Sequence, residues 1–293
     1  MRLVLPLLLL GCVEQGFTAV ELDAIAVVNG DFDDLAGVLS RGEVGNQPFN
    51  GYISQSTTWV GDGRPTREDP GRTVEELLTA PVADLSKFEI DQFQAVFLNS
   101  GTRGLNAFEY NHSLEPDDAI LNDETAVANL CGFPEGGGSL FVTDWAYDIV
   151  ETCWPDAITF ANDDTEVDDA QVGAAGELLA DVNDEELQKT LDATVVNVEF
   201  NYSAFAVMKS VSDDVEVLLS GDVTYQPVEG GDVSVFEGVP LAVRIPVGKR
   251  GQVFFSSFHL YPQTAALADA LLFRGMVGLE RGAGDQSEEA IDE

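Results

Sequence analysis

Apolar and polar positions along this chain sort into short continuous apolar runs that end in glycine, asparagine or aspartate, alternating with stretches of helical spacing. Leu22–Val28, broken only by Asp23, stops at Asn29-Gly30-Asp31-Phe32-Asp33-Asp34 and gives way to Leu35, Val38 and Leu39. That pattern predicts a buried strand, its turn and a helix with Asp33 or Asp34 as N-cap. Phe93–Leu98 is a second such run, breaking at Asn99-Ser100-Gly101-Thr102-Arg103-Gly104. Between the two, Thr73 caps a short helix over Val74–Leu78, and Asp123–Leu130 is a further helix. The sharpest junction follows: Gly136-Gly137-Gly138 leads into Leu140–Val142, a turn at Thr143-Asp144 and an amphipathic stretch, Trp145–Thr152. A strand thrown so abruptly into a helix lifts its turn residue above the carboxyl edge of a sheet, where nucleophile-elbow enzymes carry Ser or Cys.

The second half reads differently. Asp184 caps a helix through Leu187 and Leu191, and Val196, Val198 and Phe200 alternate with polar residues as in a half-exposed strand. Strands are expected at Ala204–Met208, Val215–Leu219 and Leu241–Ile245, punctuated by Gly221-Asp222 and Gly230-Gly231. Gly248-Lys249-Arg250-Gly251 reads as a hairpin turn, Gln252–Phe258 as a buried strand ending at His259. A helix with Ala266, Ala270, Phe273 and Val277 at helical spacing follows Pro262. The expected fold is α/β: a flavodoxin-like, doubly wound, mostly parallel sheet with helices on both faces and an added β-rich edge. Residues 22–281 are expected to form one domain.

Charge and the two ends set the cellular address. Among 293 residues, 52 acidic against 14 basic side chains give a formal net charge of −38. Such a surface repels phosphate backbones, which argues against nucleic acid as a partner. An acidic coat suited to salt explains it, with specific cation binding as the alternative. At the amino end, Arg2, a short apolar run and Leu9-Leu10-Gly11-Cys12 resemble a bacterial lipoprotein signal over residues 1–11 with its lipobox. The implication is acylation of Cys12, a tether over residues 12–21 and anchorage to a membrane from outside the cytoplasm. The lack of an aspartate after Cys12 leans towards an outer membrane. Residues 282–293 read as a disordered acidic tail.

Export permits disulfides. With Cys12 set aside, Cys131 and Cys153 remain. The intervening strand rises roughly 20 Å and the helix returns roughly 12 Å, which brings both cysteines to the amino-terminal side of the sheet and predicts a bridge. Two separately buried thiols are the alternative.

The run Ala95–Leu98 with its glycine turn, a helix, then GGGSLFVTDWAYD resembles the central part of the class I glutamine amidotransferase-like superfamily, which includes the ThuA-like proteins. In the amidotransferases the elbow carries a nucleophilic cysteine, with a histidine and a glutamate supplied further on. Here the elbow offers Asp144-Trp145 and no cysteine lies at any turn, which excludes thiol-mediated glutamine hydrolysis. His259 stands where the family places its histidine, followed by Leu260-Tyr261-Pro262 with no acidic partner nearby.

Asp31, Asn99, Asp144, Trp145 and His259 are the candidate binding residues, gathered at the carboxyl ends of the strands. Trp145 offers a stacking surface for a sugar or other flat apolar face. Asp144 and His259 would serve as an acid/base pair or share a metal, unless Asp144 merely caps the helix it precedes and His259 is hydrogen-bonded at a strand end. No cofactor motif is present. Asp31, Asp33 and Asp34, and the loop carrying Asp163, Asp164, Asp168 and Asp169, read as capping and solvated residues, with calcium or another divalent cation as the sharper option. Arg64, Arg67 and Arg72 pair with local acids or form a loop for an acidic group. Two functions follow: a membrane-anchored, catalytically degenerate domain that binds a ligand or protein partner, or a hydrolase working through Asp144 and His259 on a carbohydrate-related substrate.

Overall fold

The computed structural model describes residues 25–28, 32–40, 57–60, 74–79, 90–101, 120–161, 171–202, 204–225 and 232–276. The expectations for Cys12 and its flanks, Asp31, the three arginines, the aspartate loop at 163–169, Gly230-Gly231 and the carboxyl tail lie outside the described residues.

In chain order the elements are β1 (Ile25–Val28), α1 (Leu35–Ser40), β2 (Thr57–Val60), α2 (Val74–Thr79), β3 (Ala95–Leu98), α3 (Glu124–Glu135), β4 (Ser139–Thr143), α4 (Asp148–Cys153), β5 (Ile158–Phe160) and β6 (Gln171–Gly173). They continue as β7 (Gly176–Val182), α5 (Glu185–Leu191), β8 (Val195–Phe200), β9 (Phe205–Ala206), β10 (Met208–Val211), β11 (Glu216–Tyr225), β12 (Ser234–Val247), β13 (Gly251–Ser256) and α6 (Ala265–Met276).

Five strands in the order β2-β1-β3-β4-β13 run parallel and form the heart of an 11-stranded sheet. Antiparallel β12 and β11, then β6, β9, β7 and β8, extend it on one side. The β-rich second half thus joins the main sheet as expected, apart from β5 and β10, which pair with each other. Both faces are covered because successive strand residues point to opposite sides. Ile25 and Val27 pack with Leu35 and Leu39 of α1 and Leu267 and Leu271 of α6, whereas Ala26 and Val28 pack with α2, α3 and α4.

The glycines before β4 and β13 serve close approach. A Cβ at Gly251 would stand 1.6 Å from the Pro134 carbonyl oxygen, so only glycine lets the end of α3 meet the start of β13. α3 continues through Pro134 where a stop near Leu130 is expected from sequence, because Phe133 is 3% exposed and the last turn still has core to cover. Asp123 caps it with bonds from the Thr125 and Ala126 amides, both to Oδ1. β11 and β12 run to 10 and 14 residues, through Gly221, Gly238 and Pro240. Gly221 reads as a break in sequence but is absorbed as an irregularity of register, and it leaves room for Leu178 and Leu241. No helix among the described residues is long and apolar enough to cross a membrane.

Candidate functional site

The elbow forms where β4 ends. Thr143 is extended, and Asp144 then turns with φ of 43°, a left-handed conformation that aspartate tolerates better than most side chains. The expected helix from Trp145 is split into a 3-10 turn at Asp144–Ala146 and then α4, with Tyr147 fully buried at the joint. The reading of Asp144 as a helix cap does not hold: the cap positions are Thr143 and Tyr147, neither with a side-chain cap bond, and the Asp144 carboxylate is engaged elsewhere. Its Oδ1 accepts the Ala206 amide of β9 at 2.8 Å, and its Oδ2 lies 3.1 Å from His259 Nε2.

His259 comes from the loop after β13, which lies beside β4 in parallel register. An acceptor absent from the sequence reading holds its other ring nitrogen: Nδ1 donates to the amide oxygen of Asn201 at 2.8 Å, just past the end of β8. The histidine's backbone is fixed as firmly. Asp33 accepts the amides of Leu260 and Tyr261, both at 3.0 Å, and Gln263 donates to the His259 carbonyl. Asp33 is therefore a clasp between β1 and β13; Asp34 caps α1 by accepting the Gly37 amide. Asp33→Ala strands the buried Leu260 amide along with its neighbour, and a loss of about 2 kcal/mol in urea denaturation is expected.

Asn99 at the end of β3 directs its Oδ1 elsewhere, accepting the Leu35 amide at the start of α1. Its neighbour Ser100 ties the strand ends together: its amide donates to Thr143 Oγ1 and its Oγ accepts the Trp145 amide. Trp145 lies beside Asp144 but its indole N–H is held by the Ala204 carbonyl at 2.8 Å. Its ring meets Phe32 edge-on at 5.0 Å, Phe32 meets Tyr202 at 5.3 Å, and Tyr202 meets His259 at 5.3 Å. Trp145 is thus one member of a row of rings that leads to His259, of which Tyr202 is an exposed member.

Asp144 and His259 are each 2% exposed. Burial raises the pKa of Asp144 and the nearby Asp33 charge adds to that, against the stabilising His259 and Ala206 contacts. Burial alone would lower the His259 pKa, but the Asp144 contact outweighs it and Asp33 assists, so the imidazolium is favoured. Both groups therefore hold a proton more readily than they would in water. The approach is close without being aligned: Nε2 has no in-line hydrogen-bond partner among the described residues, despite lying within ion-pair distance. This is a carboxylate–imidazole contact closed to solvent. Among the described residues no three His, Cys, Asp or Glu side chains gather to hold a metal ion. Cys131 and Cys153 form the expected disulfide, joining α3 to α4.

Asn201, Asp33 and Gln263 are the contributors that sequence reading missed. Asn201 could have been noticed as a polar residue ending an alternating strand and Gln263 by its place four residues after His259, whereas the role of Asp33 depends on contacts 227 and 228 residues away.

No protein-family model matches this chain, and neither does any curated protein. Solved structures do resemble it. A GMP synthase subunit from Thermoplasma acidophilum has a TM-score of 0.47 at 9% identity, covering 90% of this chain and 98% of that one. A ThuA-like protein from Parabacteroides merdae gives 0.45 at 12% identity, covering 89% of each chain. A glutamine amidotransferase from Thermotoga maritima gives 0.42 at 8% identity, covering 89% of this chain and 86% of that one. The structural neighbours of this chain include ThuA-like and glutamine amidotransferase-like folds.

Proposed function

We propose that this chain is a lipid-anchored extracytoplasmic protein whose amidotransferase-like domain no longer turns over glutamine and instead binds a ligand or a protein partner. The observation that carries this is the occupant of the elbow. Where amidotransferase chemistry needs a thiol stands Asp144, with one carboxylate oxygen on Ala206 and the other against His259, nearly closed to solvent. No cysteine can substitute, because Cys131 and Cys153 are bonded to each other and Cys12 belongs to the lipobox. Arg2, the apolar run and Leu9-Leu10-Gly11-Cys12 support the anchor, with an outer membrane favoured by Val13 in the following position.

A second reading is favoured by one observation. Asp144 and His259 are in contact at an elbow, and Asn201 orients the ring, which is the arrangement a carboxylate-based hydrolase would need. One experiment separates the two. Full-length chain in detergent is incubated with glutamine and with chromogenic glycosides and esters, beside Asp144→Asn. No turnover above the variant is expected. Turnover that disappears in Asp144→Asn at an unchanged melting temperature would establish the hydrolase and overturn the binding reading. Radiolabelled palmitate should enter the wild-type chain in a bacterial host and fail to enter Cys12→Ser; label in both would refute the anchor.

A further inference from the structure

The added β-rich side of the sheet treats its edges unequally. Among the described residues β8 is an edge strand, paired only with β7. Its open side is filled at Glu199 by the Gln263 side chain, whose Oε1 accepts the Glu199 amide at 3.1 Å and whose Nε2 donates to the Glu199 carbonyl at 2.8 Å. A side-chain amide thus imitates a neighbouring strand there, one of the devices that blunt an edge.

Among the described residues, β12 has no such cover along its first half. β11 pairs with it from Ser234 to Arg244, but β13 pairs only with Ala242–Val247. On the side away from β11, no strand among the described residues faces Ser234–Val239. The bond that Gly238 makes, from its amide to Asp222 Oδ1, is directed to β11 itself. Side chains on this ribbon suit strand addition: Val233 and Val235 are 60% and 55% exposed, and Tyr225 stacks on Phe236 at 4.1 Å to stiffen the pair of strands. Lysine and proline, the usual deterrents on an edge, are absent from Asp232–Val239.

Charge selects the occupant. Asp222, Asp232 and Glu237 are exposed around the two valines, and residues 210–243 contain no lysine or arginine. A second copy of this chain would bring the same acids to the same edge, on a molecule whose net charge is −38. We propose that Ser234–Val239 is a docking edge for an extended segment of a partner protein in which β-branched apolar residues alternate with lysine or arginine, added as a strand next to β12. This gives a specific surface to the partner binding proposed above and rests on that reading only for its biological use; the edge itself stands whether or not the elbow is catalytic.

The test uses the full chain in detergent and a synthetic peptide of about eight residues alternating valine and lysine, the length of an ordinary strand. Hydrogen exchange should slow about tenfold or more at Ser234–Glu237 on saturation. A scrambled peptide of identical composition should bind about tenfold more weakly, as should the wild-type peptide to Val233→Ser/Val235→Ser, whose exposed sites leave the fold intact. Equal binding of the scrambled peptide, or protection elsewhere in the sheet, would reduce the interaction to diffuse charge attraction and overturn the proposal. Concentration-dependent dimerisation through this ribbon in sedimentation would overturn it in favour of self-association.

Discussion

Replacing Asp144 with alanine should cost about 3–5 kcal/mol of unfolding free energy, the usual loss when one member of a buried ion pair is removed. Three effects act together: His259 loses the group that favours its charge, the Ala206 amide loses its acceptor, and alanine is placed at a φ of 43° that aspartate tolerates better. Asp144→Asn isolates the charge, since asparagine tolerates that conformation, keeps an oxygen for Ala206 and can donate its amide to neutral His259 Nε2. Its loss at mildly alkaline pH should stay below about 1 kcal/mol.

The pH dependence carries the sharper signature. In the wild type both pKa values are raised above their ordinary 3.8 and 6.5, so the native state binds protons more tightly than the unfolded chain. The stability from His259 is fully present below 6.5 and is lost as pH rises through its raised native value; Asp144 contributes a loss of the same sign from 3.8 upward. In Asp144→Asn the carboxylate no longer opposes burial, and His259 should fall below 6.5. Stability would then rise with pH as the ring is neutralised, the opposite slope. The chain has only two histidines, so imidazole NMR titration of the full chain, with His112→Ala for assignment, reads the shift directly. An unmoved His259 titration would show that Asp144 and His259 are not coupled.

The legibility of this fold follows from where its information lies. β1, β3 and β4 are local apolar runs, each halted by turn-forming residues, and the parallel core they build was readable without any long-range contact. The elbow was readable for the same reason, since glycines, strand, Thr143-Asp144 and Trp145 are consecutive. What fills the space around Asp144 was not. Ala206 reaches it from a strand 62 residues later and Asn201 holds the far side of His259, for which the sequence reading sought a charged partner when an amide oxygen serves. Strand length in the second half failed at Gly221, where a register irregularity accommodates a residue that in isolation signals a stop. Asn99 does follow β3 directly, and its Oδ1 accepts the Leu35 amide of α1, a contact 64 residues back in the chain.

The disulfide is the other large contribution. Opening it with Cys131→Ser/Cys153→Ser should lower stability by about 3 kcal/mol, the chain-entropy value for closing a loop of this size, the two cysteines being 22 residues apart. That loop contains β4, the elbow and all of α4, so two mechanisms compete. If the bridge acts by restraining the unfolded chain, the native elbow should be indifferent to its loss. If it holds α4 in place, a six-residue helix too short to persist alone would fray and release Asp144. The contacts favour the first. Ile149 and Val150 of α4 are fully buried, and Asp144 is anchored from β4, β9 and His259 without reference to Cys153. The double variant should therefore unfold at lower denaturant concentration while its His259 titration stays where the wild type has it. A His259 shift accompanying the lost stability would instead make the bridge a part of the site.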